Sequence, residues 1–440
     1  MEKRRTYLLC KQEVRRVSLV NLIASELATL DELVSKGESL AETASLFANG
    51  WKKLGRDCFE KLLQERIEQV ESEQIGSRKI RAKTYHTPLG SVEVRRRVYD
   101  TPDGPRVPAD EALGLPEDAW LPEVLELACA LGVDSEFANA QALFQRWTGV
   151  AACEKTVANQ VEASGQRLRA AEEARPAQEI APRDSALAKV VTFPKAKPRV
   201  YVEADGILTP MNQKKGFREA RVGVVFKESD RWEVSPKRTV IRRKEYVATL
   251  DKRGVFGERL FQLFAQTVGM VPHEVIVLGD GAAWIWEMAD LYYPDAVQIL
   301  DFWHVAEYVW EVARAGLATD KQKEWADEQL DLLKASKWRD VITNAKSITG
   351  GKAELKEAQA NLERYLNNNA SRIDYATYEA QGYMIGSGVI ESSNRRVVAR
   401  RLKQAGMHWS EYGAEGVMNL RAAYLSSSSR WKDFWSSKAA

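Results

Sequence analysis

RVYVEADGI (199–207), FREARVGVVFKES (217–229) and WEVSPKRTVI (232–241) are three short runs rich in β-branched residues and separated by turn-like stretches. Adjacent runs of this kind, joined by short connections, predict an antiparallel meander. GVFGERLFQLFAQTVGM (254–270) follows at helical spacing, and HEVIVLGD (273–280) reads as a buried strand. GAAWIWEMADLYY (281–293) is then a helix, and AVQILDFWH (296–304) a further strand passing into another helix.

Three antiparallel strands, a helix, and further strands alternating with helices is the order of a ribonuclease H-like core. In that topology Asp205 closes the first strand and Asp280 ends the fourth, at neighbouring positions on one edge of the sheet. A third acid is expected at the start of a late helix. IGSGVIESSNRRVVARRLK (385–403) offers Glu391 there, just after a glycine-rich turn. Between Asp280 and Glu391 the chain is longer than one strand and one helix require. Residues 305–380 fill that distance and read almost wholly helical, which predicts an all-helical insertion domain. Trp310, Trp325 and Trp338 lie in it, either as core or as a platform for an unpaired base.

Carboxylates at these places suit a hard cation. Mg²⁺ prefers oxygen ligands and keeps several waters, so a few acids around an open site hold it better than a closed cage. Mn²⁺ can take its place. Two such ions about 4 Å apart activate an attacking hydroxyl and stabilise the leaving oxygen of an in-line phosphoryl transfer. Asp205 is then expected to bridge both, with Asp280 and Glu391 holding one each. Singly, Asp205-Gly206 and Asp280-Gly281 are common turn dipeptides, and Glu391 is a residue that complements a helix N-terminus. Their order and placement give them joint weight. His304, three residues after Asp301, is a further catalytic candidate. Asp301 alone reads as the cap of the following helix, and a zinc site lacks further ligands nearby.

Outside this core the chain reads differently. At 440 residues it exceeds what a single hydrophobic core fills, so several domains are expected. Residues 1–75 are a helical region. Residues 76–175 combine a basic β-hairpin with a helix-turn-helix-like pair. A proline-bearing linker spans 176–198, the core's first part 199–304, the helical insertion 305–380, and the core's C-terminal helices 381–440. In the hairpin, Arg95 and Arg97 share one face and Arg96 lies opposite. The pair of helices flanks Thr148-Gly149-Val150. The second carries Lys155, Thr156, Asn159 and Gln160 toward bases or phosphates if it enters a major groove. A plain helical hairpin with Leu143, Phe144 and Trp147 in its core fits the same spacing.

Net charge is only +2, but basic residues are clustered. Residues 77–107 hold eight Lys or Arg against three acids, and 393–403 hold Arg395, Arg396, Arg400, Arg401 and Lys403 with no acid. Such islands suit phosphate contacts, although solvated helix faces look alike. The four cysteines form no CxxC pair, which signals neither a disulfide framework nor a zinc ribbon. No run approaches the roughly 20 apolar residues of a membrane span, and the first residues lack a signal peptide's apolar core. A cytoplasmic protein without a membrane partner is the expectation.

VEADG (202–206), REARVGVVF (218–226), VLGDGAAWIW (277–286) and LDFWHVAEYVW (300–310) are similar to segments of the Kra-type bacterial insertion-sequence transposases. IGSGVIESSNRRVVARRLKQAGMHWS (385–410) and the closing RWKDFW (430–435) carry the resemblance furthest. It runs from the basic hairpin to the C-terminus. The resemblance implies an acid triad on a ribonuclease H-like fold, which falls on Asp205, Asp280 and Glu391. It also implies Mg²⁺-dependent cleavage and strand transfer at the terminal inverted repeats of a mobile element. The partners implied are double-stranded DNA, as element ends and target, and a second copy of the chain. The spacing of Asp301 and His304 is similar to a signature of Mutator-like transposases. Two other readings stay open: a transposase-derived DNA-binding regulator, and a ribonuclease H-like nuclease without strand transfer.

Overall fold

The computed structural model describes residues 20–37, 39–72, 79–102, 104–174, 197–212, 216–235, 238–269, 272–350 and 353–439. The chain is a mixed α and β protein that divides by its internal contacts into two units. One comprises residues 1–160 with 435–440, and the other residues 161–434. The expected linker at 176–198 lies almost wholly outside the described residues. The division itself falls earlier, within a helix, because residues after Gln160 pack with the later part of the chain.

In the first unit, helices α1 (20–34) and α2 (Leu40–Glu71) precede strands β1 (Lys79–Thr87), β2 (Gly90–Thr101) and β3 (Gly104–Arg106). The hairpin forms as the alternation predicts: β1 pairs antiparallel with β2, joining Thr87 to Gly90. Val92, Val94 and Val98 are buried with Tyr85, Leu63 and Ile67. Between them the amides of Glu93, Arg95 and Arg97 meet side-chain acceptors of α2, namely Glu60, Gln64 and Glu71. The outer edge of β2 is thereby satisfied rather than left open for pairing. Short helices α3 (Pro108–Leu113) and α4 (Pro122–Asp134) lead to α5 (Phe137–Thr148) and α6 (Glu154–Glu173). Gly149 ends α5 in the left-handed region at φ 76, which favours glycine. Phe144 is buried, but Trp147, expected in the core, is 64% exposed.

The second unit is built on a five-stranded sheet of order β10-β9-β4-β5-β8. Its strands are β4 (Arg199–Pro210), β5 (Phe217–Lys227), β8 (Glu245–Thr249), β9 (Glu274–Gly279) and β10 (Val297–Leu300). β4 is central, antiparallel to β5 and parallel to β9; β5 is antiparallel to β8, and β9 parallel to β10. The parallel steps run through helices α7 (Arg253–Val268) and α8 (Ala283–Tyr292), as parallel crossovers require.

Two sequence expectations change. The third strand of the meander is not 232–241 but EYVAT, 245–249, every residue of which is buried. A strand covered on both sides needs such a run. WEVSPKRTVI instead forms a separate two-stranded ribbon, β6 (Arg231–Ser235) with β7 (Arg238–Ile241), because its alternation is interrupted by Arg, Glu, Ser and Pro. Asp205, expected at the end of the first strand, lies within β4, which continues to Pro210.

The insertion is helical as expected. α9 (Phe302–Gly316), α10 (Thr319–Lys334), α11 (Trp338–Ser347) and α12 (Ala353–Asn368) are followed by α13 (Tyr375–Ala380). Trp338 is largely buried among them. Helix α14 (Gly388–Ser393) continues through a π-helical stretch, Asn394–Ala399, into α15 (Arg400–Leu402). α16 (Glu411–Leu425) and α17 (Arg430–Ala439) complete the chain. The serine run between them seals the edge of β8: Ser426 and Ser427 hydroxyls accept from the amides of Tyr246 and Lys244, and the Ser427 amide donates to the Lys244 carbonyl.

Beneath the sheet, Glu415 of α16 centres a buried polar cluster. Its Oε1 accepts from Thr249 Oγ1 at 2.7 Å, Asn419 Nδ2 at 3.0 Å and Arg169 Nη1 at 3.1 Å, while Oε2 accepts from the Leu250 amide at 2.7 Å. Arg259, itself buried, lies alongside and donates to Asn419 Oδ1. Removing one partner strands the others without charge or acceptor. Glu415→Ala is therefore expected to lower unfolding free energy by about 3–5 kcal/mol, measured as a fall in urea midpoint.

Candidate functional site

The alternation of β4 organises the site. Val200, Val202 and Ala204 project to one side of the sheet, and Tyr201, Glu203 and Asp205 to the other. All three of the second set meet the segment 384–394. The Met384 amide donates to Tyr201 Oη at 3.1 Å, the Ile390 amide to Glu203 Oε2 at 2.8 Å, and Asn394 Nδ2 to Asp205 Oδ2 at 2.5 Å. One strand thus fixes the whole helical turn that carries Glu391.

Asp280 reaches the site from the neighbouring strand. The register of β4 with β9 runs to Glu203 opposite Leu278, so Asp205 and Asp280 each stand two residues past the last pair. Asp280 Oδ1 accepts from the Ala282 amide at 3.0 Å, and its carbonyl accepts from Tyr365 Oη of α12 at 2.5 Å. Gly281 holds φ 89, and a Cβ there would meet the Tyr365 ring at 2.9 Å, so the turn that presents Asp280 needs glycine. Burial, and then the charge of Asp280, push the Asp205 carboxyl up to about 6. Two like charges held together in this way suit a shared cation.

Asp301 is the most tightly built residue of the site. It is fully buried at the start of α9, where Oδ1 accepts from the Trp303 amide at 2.9 Å, so it does cap the helix. Its Oδ2 accepts from Ser387 Oγ at 2.5 Å and pairs with His304 Nδ1 at 2.8 Å. Burial would raise the Asp301 carboxyl, but the hydrogen bonds from His304 and Ser387 outweigh it and hold the group below its ordinary range. The hydrogen bond to Asp301 pushes His304 up to about 9 against the effect of burial, and the charge of Asp280 adds to it. Gly386 lies against the Trp303 indole, where a Cβ would come within 2.9 Å, and the Phe302 amide donates to the Ile385 carbonyl at 2.9 Å. The glycine-rich turn thus lets 385–387 settle on the first turn of α9.

The structure groups the donors differently from the sequence expectation. Among the described residues, one set of three has ligand atoms all within 4.8 Å of one another: Asp301, His304 and Glu391. Asp205 and Asp280 are not members of that set; each stands two residues past the last β4–β9 pair, and the charge of Asp280 acts on Asp205. His304 joins the two sets, since its charge acts on Asp205 and the charge of Asp280 acts on it.

Glu203 was absent from the sequence candidates. It is fully buried two residues before Asp205, and burial foremost raises its carboxyl to about 8, with the charges of Asp301 and Glu391 adding to the rise. The signal was present in VYVEAD, an acid inside an apolar strand at a two-residue step from Asp205. Ser387 and Asn394, both buried, are the other supporting groups.

The proposed DNA contacts separate into exposed and occupied groups. Arg395, Arg396, Arg400 and Lys403 are exposed after Glu391. Arg401 is not: its side chain is fully buried, with the guanidinium 5.0 Å above the Trp409 ring and Nη1 4.0 Å from Met407 Sδ. A helix has an inner face, and Arg401 of α15 lies on it. In the first unit, Lys155 and Asn159 are exposed on the opening turns of α6, and Arg95 is exposed on β2. Arg97 is half-buried and paired with Glu71 at 3.4 Å, and Arg96 with Asp110 at 2.8 Å.

The chain belongs to the uncharacterised protein family UPF0236, which matches residues 33–439. No curated protein matches the sequence. Among the described residues no helix is long and apolar enough to cross a membrane.

Asp301→Asn removes the negative partner of His304. In metal-free protein, the His304 ring protons followed by NMR should then titrate lower by about one unit or more, toward the ordinary value near 6.5. Because the folded-state pKa of His304 is raised, its ion pair stabilises the wild type fully below about 6.5 and ceases to do so as pH rises through about 9. That decline, seen in urea midpoints across the window, should be absent from the variant.

Proposed function

We propose that the protein is a DNA transposase whose second unit is a ribonuclease H-like catalytic core. The observation that carries this reading is the meeting of Asp205, Asp280 and the Glu391 helix at one end of a sheet ordered β10-β9-β4-β5-β8, with a helical insertion between the second and third acids. A central strand with antiparallel neighbours on one side and parallel ones on the other supports that core.

The donor set fits hard divalent cations. Asp205 and Asp280 offer half-buried carboxylate oxygens past the end of the β4–β9 pairing, and the share of Asp205's elevation that the charge of Asp280 adds to burial is one a cation would relieve. In this reading Asp205, Asp280 and Glu391 hold Mg²⁺, with Mn²⁺ able to replace it. When bound, such ions supply an activated oxygen nucleophile and stabilise the leaving oxygen of a phosphodiester.

The protein's own groups do the rest. Asn394 holds Asp205 by one oxygen and leaves its orientation fixed. Glu203 and Ser387 hold the two ends of the turn before Glu391. His304, anchored by Asp301 and raised to about 9 by that hydrogen bond, lies beside Glu391, where it would meet a non-bridging oxygen of the scissile phosphate. Exposed Arg395, Arg396, Arg400 and Lys403 give the DNA backbone a positive track leading away from Glu391. Because cleavage by water and joining by a 3′-hydroxyl are the same displacement, one such site serves both steps.

The test uses purified full-length protein, duplex DNA bearing the element's terminal repeats, and Mg²⁺. Wild type should nick the repeat end and join it to target DNA, and Asp205→Ala should do neither. Equal activity in that variant would sink the assignment. Cleavage without joined product would indicate a nuclease, and metal-independent binding alone a regulator. Asn394→Ala should weaken Mn²⁺ binding, followed by electron paramagnetic resonance, by about 10- to 100-fold, the usual effect of losing a partner that orients a ligand.

A further inference from the structure

The ribbon β6–β7 leaves the sheet between β5 and β8 and stands apart from it as a sheet of two strands. Every residue of β6 is exposed. Trp232 is 50% and Val234 52% exposed; Val240 stands opposite Trp232, and Val234 lies at an irregularity of register between Glu233 and Ser235. Arg242 continues the face of Trp232 and Val240, its guanidinium 3.7 Å from the Trp232 ring centre. No acid among the described residues pairs with Arg242. The sequence 231–244 holds six Lys and Arg and one acid, Glu233, on a chain whose net charge is only +2.

Two of these bases are occupied at the root, Arg231 by Glu228 at 3.2 Å and Arg243 by Asp230 at 2.7 Å. At the other end of the root Lys244 is half-buried, and its amide donates to Ser427 Oγ at 3.1 Å.

We propose that the β6–β7 ribbon is a duplex-DNA-binding arm. Its shape and charge together commit it to this occupant. A two-stranded ribbon is one of the two elements a major groove admits, and apolar groups on it contact thymine methyls while cations meet the phosphates on either side. A face of Trp232 and Val240 with an arginine stacked on the indole matches an anionic, partly apolar groove. A protein partner would leave the excess of positive charge unexplained. The inference rests on the DNA reading of the acid site but is tested apart from catalysis.

Binding is read by fluorescence anisotropy without metal, using a 30-base-pair duplex carrying the terminal repeat and a scrambled duplex of equal composition. Trp232→Ala with Arg242→Ala should bind the repeat duplex about tenfold or more weakly, with a salt slope lower by about one. Thr239→Ala, on the other face, should bind as wild type, and Arg242→Lys should restore most of the salt slope. A benzophenone side chain placed at Val234 should crosslink to the duplex, which reads the contact even where the double variant folds poorly. Wild-type affinity in a folded double variant, together with no crosslink, overturns the arm while leaving the transposase reading standing. Tight binding and crosslinking without Mg²⁺-dependent cleavage keeps the arm and removes that reading. No binding by wild type removes both, and a changed oligomeric state with unchanged DNA affinity makes the ribbon a protein interface and overturns the arm.

Discussion

The parallel pairing of β4 with β9 is the constraint on which the rest of the second unit depends. Parallel strands cannot be joined by a tight turn, so the chain between them spends β5, the ribbon, β8 and α7 before it returns. The register then sets Asp205 and Asp280 at equivalent distances past the last pair. Strands spaced about 5 Å apart leave two such carboxylates little choice but to share their surroundings. Burial first, and then the charge of Asp280 that this register brings close, raise the Asp205 carboxyl.

The same strand solves a second problem through its alternation. A central strand must bury both faces, yet Tyr201, Glu203 and Asp205 are polar. Each is matched to one group on the 384–394 segment, so the apolar face of β4 supports the sheet while the polar face fixes a helix. A fully buried carboxyl such as Glu203 costs stability unless it is hydrogen-bonded, and the Ile390 amide only partly offsets that cost. The molecule keeps the expensive group where it positions the turn before Glu391. The Asp301–Ser387 hydrogen bond does the same from the other side, tying that turn to α9.

The helical insertion is bound into this arrangement rather than appended to it. Tyr365 of α12 stacks on Tyr308 of α9 with ring centres 4.3 Å apart and donates to the Asp280 carbonyl. Tyr375 Oη donates to the Leu300 carbonyl at the end of β10. Two aromatic side chains thus hold the carboxyl ends of β9 and β10 in place. A shift of the insertion would be felt at Asp280 directly, and at His304 through the first turn of α9.

Patterns that depend on neighbours in the chain were legible in the sequence. The two-residue alternation gave the β1–β2 hairpin and β4, the helical spacing gave the insertion, and Asp-Gly and Gly-Ser-Gly marked the turns before Asp280's helix and Glu391. What depends on neighbours across the fold was not. Both 232–241 and 245–249 are short runs with β-branched residues, and packing against β5 and the serine loop selects the second. Arg401 is indistinguishable from Arg400 in a run of bases, because which face of a helix turns inward is settled by Trp409 and Met407. Asp301 reads as a cap from its position, and it is a cap; that Ser387, 86 residues on, shares its other oxygen with His304 is decided by the fold alone. The sequence by itself determined which residues could be acids, turns and strands, and only the tertiary structure decided which acids stand together, because convergence is a property of strand order and register that no stretch of chain contains.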